Sequence, residues 1–360
     1  NSYTKTYMAG NQALGRNLDA NAMRNHFYRF PGVDNDKDKT LSAMLRMAVI
    51  AQTQERYEKA PVETDEQRAE KAALEGLVKQ LFVELKRDFK PSDLPPYTLV
   101  KLGMHLAGTS QPEESIAYFD EILDPSEPDP VRKKARINGM SKSRKNAVFG
   151  KAVALGRSKD NAKVDTAIKM MRDELSKEES SSNPDRKAME DAQYNLVKFT
   201  FARQDWPAVI AAADKCRENK TYKKNLPEVL YLQGEAYLKQ NELDKALINF
   251  MNITGTYKGL VKWSAPAVLA QMDTLWKRNT MSQGAGKQPS DRYVAWKAGS
   301  QYVQLLDTPA NRKKMTAEDS ALVNEVKDKT AKFGSDPAVS QERADIAAYE
   351  AAVRAAKGQK

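Results

Sequence analysis

The chain has 360 residues, of which 41% are hydrophobic and 29% are charged, so it carries enough apolar surface for a core and is not a disordered polymer. With 17 glycines and 16 prolines, both below their usual share, the composition favours helices over sheets. The single cysteine, Cys216, excludes an internal disulfide framework and a cysteine-based metal cluster, and the apolar stretches are too short for a membrane-spanning helix.

The first forty residues differ from the rest of the chain. Asn, Gly and Asp recur at short intervals around the aromatic run at positions 27–30, which predicts an N-terminal arm over residues 1–40. Because the chain starts at Asn1 and not at Met, we expect a signal peptide or an anchor upstream, and therefore an exported protein.

Three aspartates in the arm have the spacing of the first ligands of a calcium loop: Asp34, Asp36 and Asp38. Lys39 stands where the sharp turn of that loop requires glycine, and Leu45 stands where a bidentate glutamate is required. We therefore interpret the triplet as a solvated acidic turn and predict no metal site.

From residue 40 onward, apolar residues recur at helical spacing between short stretches of Pro, Asp, Asn or Ser. Capping residues mark several starts, including Ser110, Asp129, Asp205 and Thr316. The predicted helices cover residues 41–59, 66–90, 95–107, 112–123, 129–155, 161–178, 185–203, 206–219, 226–239, 242–255, 264–279, 289–306, 316–332 and 338–357.

The strongest internal break is the charged, serine-rich stretch 177–185, which either separates two lobes or is a longer loop within one array. We predict four regions. They are the arm at 1–40, an N-terminal helical-repeat lobe at 41–178, a C-terminal repeat lobe at 184–307, and capping helices at 308–360.

One segment, 227–259, has a repeat-like spacing, because Gly234, Tyr237, Ala246 and Phe250 lie at offsets 0, 3, 12 and 16. The two small residues allow two antiparallel helices to approach closely, and the two aromatic rings fill the remaining space. The segment predicts a helical hairpin.

Two weaker copies of this pattern are present. Residues 94–128 keep Gly103 and Phe119, while residues 189–222 have Leu196 at the glycine position, which predicts a wider helix spacing there. The pattern resembles the 34-residue tetratricopeptide repeat, with alanine at the tight contact.

The segment 81–123 is similar in style to repeats of bacterial periplasmic proteins that serve outer-membrane assembly and the Tol-Pal system, through Phe89, Pro91 and Ser92 before a first helix. This resemblance implies an all-α fold, a tetratricopeptide-like right-handed superhelical solenoid of antiparallel helical hairpins. It also implies a non-enzymatic, cofactor-free scaffold of the bacterial cell envelope that binds an envelope protein or peptide segment. We expect a periplasmic or extracytoplasmic location, with a membrane tether before residue 1.

In tetratricopeptide repeats the first helix of each pair lines the concave groove, so the resemblance also implies partner-facing positions. These are Tyr97, Val100, Met104, Gln193, Val197, Thr200, Glu228, Tyr231, Glu235 and Lys239. The set lacks the Lys and Asn pattern that binds C-terminal carboxylates and suits an amphipathic or extended peptide.

A basic cluster at 131–159 has no acidic residue and accounts for the net charge of +10. Its members are Arg132, Lys133, Lys134, Arg136, Lys142, Arg144, Lys145, Lys151, Arg157 and Lys159. One interpretation is a site for nucleic acid, anionic lipid or an acidic partner, and the other is a solvated helix face, since Phe149 is the one aromatic residue among the charges and a stacking surface needs several. If the cluster binds an anionic partner, we expect reversal of Lys133, Arg136, Arg144 and Lys151 to Glu to leave the fold intact, because exposed helix positions tolerate such changes.

The residue inventory argues against catalysis. The chain has two histidines, His26 and His105, and no serine or cysteine in a nucleophile-elbow context. Residues 284–287 are similar to part of a phosphate-binding loop but lack its first glycine, its Ser or Thr and a preceding strand, which predicts an inter-helix turn.

Overall fold

The computed structural model describes the following residues: 39–62, 64–109, 112–218, 225–284 and 286–358. Within these ranges the chain forms helices and no strand, which confirms the predicted all-α class. Most of the arm lies outside the described residues, including His26 and the triplet Asp34, Asp36 and Asp38. None of the described helices is both long enough and apolar enough to cross a lipid bilayer.

The described residues contain sixteen α-helices and two short 3-10 turns, at Pro91–Asp93 and Pro112–Ser115. The helices are α1 Lys39–Lys59, α2 Asp65–Asp88, α3 Pro96–Ala107, α4 Ile116–Leu123, α5 Pro130–Gly139, α6 Ser141–Gly156, α7 Asn161–Glu179, α8 Arg186–Ala202, α9 Trp206–Glu218, α10 Leu226–Lys239, α11 Leu243–Thr256, α12 Val261–Arg278, α13 Asp291–Leu306, α14 Pro309–Arg312, α15 Ala317–Gly334 and α16 Pro337–Gly358.

Three of the four predicted helix caps are confirmed, and the fourth, Ser110, lies outside the described residues. Thr316 forms a capping box with Asp319, and Asp129 and Asp205 each accept a hydrogen bond from a backbone N–H three residues ahead. Thr64 forms a further capping box at the start of α2. The predicted helix 129–155 is wrong in one respect, because it breaks at Met140, whose N–H donates to carbonyls both three and four residues back.

Backbone contacts divide the chain into two units, one up to Met170 and one from Met171, so the division falls inside α7 and before the serine-rich stretch. In the first unit α1 packs on α2, α3 packs on α4, and α6 packs on both α3 and α4. Its largest fully buried side chains are Leu45, Ile50, Phe82, Leu85, Leu99, Leu102, Phe119 and Ile122. Each contributes roughly 1.5–3 kcal/mol of hydrophobic stabilisation.

Phe119 of α4 explains why α3 and α6 carry glycines. A Cβ atom on Gly103 of α3 would lie 2.8 Å from the Phe119 ring, and one on Gly150 of α6 would lie 2.2 Å from it. The ring is therefore held between two glycines, which allow three helix backbones to meet around it.

In the second unit each helix from α8 to α13 packs on the next one in the chain. The alternate helices α8, α10 and α12 also contact each other in turn, and α15 packs on α12 and α13. The first helices of successive hairpins therefore lie side by side and share one surface.

A buried carboxylate joins three helices of this unit. Asp291 at the start of α13 is 2% exposed and accepts hydrogen bonds from Nε and Nη2 of Arg278 at 2.8 and 2.6 Å, while Arg278 also pairs with Asp244 of α11. Burial alone would raise the pKa of Asp291, but the hydrogen bonds from Arg278 and Thr280 outweigh it and hold that pKa below its usual range.

Candidate partner-binding surface

Three hairpins share one spacing of buried residues, at offsets 0, 12, 16 and 19. The four residues are Gly103, Ser115, Phe119 and Ile122 in α3–α4, Val197, Val209, Ala213 and Cys216 in α8–α9, and Gly234, Ala246, Phe250 and Ile253 in α10–α11. The first and third sets match the alignment made from the sequence. In α8–α9 the structure corrects that alignment by one residue, because Val197 and not Leu196 takes the glycine position.

The shifted alignment shows an exchange of size between the two helices. In α10–α11 a Cβ atom on Gly234 would lie 2.6 Å from the Phe250 ring, so a large residue on the second helix faces glycine on the first. In α8–α9 the larger residue, Val197, lies on the first helix and the smaller, Ala213, on the second, within one buried cluster. Because Ala213 makes room for Val197, there is no longer a reason to expect the helices α8 and α9 to lie farther apart than α10 and α11.

The same shift changes which residues of α8 are exposed. Val197 is 0% exposed and Thr200 is 2% exposed, with its hydroxyl donating to the carbonyl of Leu196, so neither side chain can face a partner. Gln193 is half-buried and lines a cleft of about 280 Å³ together with Thr200. The residues of α8 that match Tyr231 and Glu235 of α10 are Tyr194 and Lys198.

Sequence reasoning missed Tyr194 and Lys198 because it aligned α8 on Leu196. The spacing of Val209, Ala213 and Cys216 after Val197 was a usable signal, since all three are apolar or small and follow the offsets of the best hairpin.

On α10 the predicted residues Glu228, Tyr231, Glu235 and Lys239 lie at helical spacing along one face. Glu228, Tyr231 and Glu235 are half-buried, and Lys239 is exposed. The Tyr231 ring lies against Phe250 and Trp263, with ring centroids 5.9 and 6.2 Å away. We call the following set the Tyr–Glu face: Tyr194 and Lys198 of α8 with Glu228, Tyr231, Glu235 and Lys239 of α10.

Within the Tyr–Glu face, α8 and α10 are joined by polar contacts. The Tyr194 hydroxyl donates to Oε2 of Glu228 at 2.6 Å, and Nζ of Lys198 lies 3.6 Å from Oε1 of the same carboxylate. Lys198 also lies over the Tyr194 ring, 5.1 Å from its centroid. These contacts fix the side chains on a partly exposed surface.

In the first unit, the predicted residues of α3 form an apolar stripe. Tyr97 is 58% exposed and Met104 is 47% exposed, whereas Val100 between them packs against the core. Lys101 lies over the Tyr97 ring, 5.7 Å from its centroid. The stripe places two large apolar side chains on the surface of this unit.

Half of the basic cluster is engaged by described groups of the first unit, contrary to the expected free exposure. Lys133 pairs with Asp124 at 2.7 Å, Arg136 with the buried Glu121 at 3.0 Å, and Lys151 with Asp120 at 2.6 Å. In addition, two arginines donate to backbone carbonyls at the ends of helices: Arg144 to Leu123 at 2.9 Å and Arg157 to Ala107 at 2.7 Å. These cations satisfy the acidic end of α4 and the orphan carbonyls of α3 and α4.

Four members of the cluster are exposed and form neither an ion pair nor a side-chain hydrogen bond with another described residue: Arg132, Lys134, Lys142 and Lys159. Lys145 is half-buried and interacts with another residue, so it does not belong to this exposed set. The surface charge available to a ligand is therefore smaller than the sequence count of ten.

His105 and the glycines of the loop 284–287 have surroundings that a structural role explains. His105 stacks on the buried Phe82 with ring centroids 3.9 Å apart, and burial lowers its pKa, with a smaller contribution from Lys79. Gly284 and Gly286 have φ values of +104° and +78° in the turn between α12 and α13, as an inter-helix loop requires. A Cβ atom on Gly286 would lie 2.5 Å from the Tyr349 ring, so the glycine lets this loop pack on α16.

Comparisons of the chain with models of protein families, with curated proteins and with solved structures find no match in any of the three. Function is therefore inferred from the geometry of the described residues.

Proposed function

We propose that this chain is a non-enzymatic protein-binding scaffold built from tetratricopeptide-type hairpins stacked as a right-handed solenoid, and that its partner binds along the Tyr–Glu face. The observation that carries the proposal is the shared offset pattern of three hairpins, which puts Tyr194 and Tyr231 at equivalent positions on neighbouring first helices. Such a surface suits an extended or amphipathic peptide segment.

The composition of the Tyr–Glu face supports this choice. Tyrosines present a large rigid ring with a polar tip and are enriched where proteins meet. Tyr231 and Glu235 lie outside the offset pattern that fills the hairpin; the Tyr231 ring packs on the core beside Phe250, and the half-buried carboxylate of Glu235 has no core role. The Tyr–Glu face therefore holds partly buried polar groups, as binding surfaces do.

The cellular setting is the bacterial envelope in this proposal, on the resemblance of residues 81–123 to periplasmic repeats. Fractionation of cells that make the protein tests this part separately, since recovery with cytoplasmic markers alone would contradict it.

Site-specific photo-crosslinking tests the scaffold function. A benzophenone amino acid replaces Tyr231, and in a matched control it replaces Ile248 of α11, which is 57% exposed on the second helix of the same hairpin. We expect discrete adducts in cells from position 231 that are absent from position 248, and loss of binding of the purified partner to the Tyr231→Ala protein. Identical adduct patterns at the two positions would contradict the proposal.

A second candidate function is anion binding by the basic cluster, for nucleic acid or anionic lipid. The observation that favours it is the exposure of Arg132, Lys134, Lys142 and Lys159 without ion pairs to described residues. The observation against it is that Lys133, Arg136, Arg144 and Lys151 are engaged within the fold.

Two charge-reversal variants separate these roles. Reversal of the exposed set to Glu should leave the melting temperature close to wild type, whereas reversal of the engaged set should unfold the first unit by placing acids against Glu121 and Asp120. If the cluster binds anions, the exposed-set variant loses affinity for a DNA duplex or phosphatidylglycerol vesicles, and its log affinity falls less steeply between about 50 and about 200 mM salt. Unchanged affinity of that variant would leave the cluster a structural feature.

A further inference from the structure

Tyr194 and Tyr231 are equivalent residues, each three positions before the first residue of the shared offset pattern, Val197 in α8 or Gly234 in α10. The side chain one helical turn after each tyrosine lies on the same face of its helix. That position is Lys198 in α8 and Glu235 in α10.

In α8 the set of groups is complete within the chain. The Lys198 ammonium lies over the Tyr194 ring, 5.1 Å from its centroid. Glu228 accepts a hydrogen bond from the Tyr194 hydroxyl and forms an ion pair with Lys198. An aromatic ring, a cation and a carboxylate thus stabilise one another, since a cation over a ring face is attracted by its quadrupole.

In α10 the ring and the carboxylate are present without the cation. The ring neighbours of Tyr231 are Phe250 and Trp263, and among the described residues no Lys or Arg lies over its face. Glu235 forms no ion pair within the described ranges, although Lys239 lies one helical turn after it. The remaining carboxylate nearby, Asp273, is already paired with Lys329.

Burial is the main cause of the pKa shifts of Tyr231 and Glu235 on α10. Burial, together with Glu235 and Glu325, raises the pKa of Tyr231 to about 12. Burial also raises the pKa of Glu235, and Asp273 adds to this, while Lys239 and the Tyr231 hydroxyl oppose it without reversing it. A cation supplied by a partner would offset the free-energy cost of keeping the Glu235 carboxylate ionised while it is half-buried.

We propose that Tyr231 and Glu235 bind a lysine or arginine side chain of a partner protein, in the position equivalent to that of Lys198 beside Tyr194. The inference rests on the scaffold function proposed above and adds the chemical class of the segment that is bound. Arginine suits the site especially, because its planar guanidinium stacks on an aromatic ring while donating to a carboxylate.

Synthetic peptides that differ only in their charged positions test the inference. Fluorescently labelled peptides carry Arg, Gln or Glu at the same positions among shared apolar residues, and their affinities for the full chain are measured by anisotropy. We expect the Arg peptide to bind about tenfold more tightly than the Gln peptide, the difference that one charge-assisted contact of about 1.4 kcal/mol produces.

Three variants locate the effect. Glu235→Gln should remove most of the preference for the Arg peptide without weakening the Gln peptide, and Tyr231→Phe should retain binding that Tyr231→Ala loses. The matched control is Glu218→Gln on α9, an exposed carboxylate of the same unit, which should change neither peptide. Circular dichroism melting of each variant checks that the fold is kept.

The outcomes distinguish this inference from the scaffold function. An Arg peptide that binds no more tightly than the Gln peptide, equal behaviour of Glu235→Gln and Glu218→Gln, or binding of no peptide at all would each overturn the cation site. Equal affinities of the Arg and Gln peptides that both depend on Tyr231 would leave the scaffold function standing and remove the cation site alone. Indistinguishable crosslinks at positions 231 and 248 would remove the scaffold function itself.

Discussion

The neighbouring hairpins α8–α9 and α10–α11 use the same spacing of buried residues but fill it in opposite ways. The first helix carries Val197 in one hairpin and Gly234 in the other, and the second helix carries Ala213 and Phe250. Their outer faces also differ, since Lys198 and Glu235 occupy one equivalent position. The comparison teaches that the packing of a hairpin depends on the combined volume of the two side chains that meet between its helices. The residues on the outer face can then vary and define what is bound.

The largest expected effect comes from moving one hairpin toward the packing of the other. Phe250→Ala removes a fully buried ring and should lower the free energy of unfolding by about 3–5 kcal/mol, and Gly234→Val should lower it by about 1–3 kcal/mol through overpacking. The double variant reproduces the Val and Ala pair of α8–α9. We expect it to lose less than the sum of the two single losses in urea denaturation.

Additive losses in this double-mutant cycle would contradict the exchange of sizes, because residues that fill one space must couple. A slope of unfolding free energy against urea that is unchanged across the variants is the control that the same surface unfolds in each.

A smaller effect is expected from the glycines, and it extends the comparison to α3–α4. Gly150→Ala places a Cβ atom 2.2 Å from the Phe119 ring and should cost about 1–3 kcal/mol, because both flanking backbones must move. Gly76→Ala in α2 is the matched control, since nothing lies within 4 Å of its added Cβ atom, and it should stabilise the helix by about 0.5–1 kcal/mol. Thermal melting of the two variants should therefore shift in opposite directions.

Much of the fold followed from local chemistry. Helical periodicity and caps such as Thr316 and Asp129 predicted the helices, and the glycine-to-phenylalanine spacing predicted the hairpin around Gly234. The pattern failed at α8 because Leu196 and Val197 are both apolar neighbours, and only the tertiary contact selects which one enters the hairpin. Break points such as Met140 also depend on packing that local patterns do not contain.

The candidate site was less predictable than the fold. Glu228, Tyr231 and Glu235 were found because their hairpin was aligned correctly, whereas Tyr194 and Lys198 required the structure. The basic cluster shows the opposite failure, since a count of charges along the sequence contains no information on the acids Asp120, Glu121 and Asp124 or the helix-end carbonyls, which together engage half of them in space. Charge in a sequence therefore predicts a ligand surface only after its internal partners are known.

The smallest expected effect concerns the carboxylate that distinguishes α10 from α8. The pKa of Glu235 is raised above its ordinary value of 4.5 mainly by burial, so the fold favours the protonated carboxyl and the ionised form costs stability. That cost is absent at low pH and grows as the pH rises from 4.5 through the raised pKa. Glu235→Gln removes it, and the variant should be at least as stable as wild type at pH 7 and lose this advantage near pH 4.

Urea titrations of wild type and Glu235→Gln at several pH values between 4 and 7 measure this difference, with Glu218→Gln as the exposed control. If the unfolding free energies of wild type and Glu235→Gln change in parallel with pH, the proposed stability cost of the ionised Glu235 carboxylate is contradicted. A stability gain confined to neutral pH, combined with a weaker hold on the Arg peptide, would show that α10 gives up stability at Glu235 for binding, whereas α8 uses Lys198 to satisfy its own face.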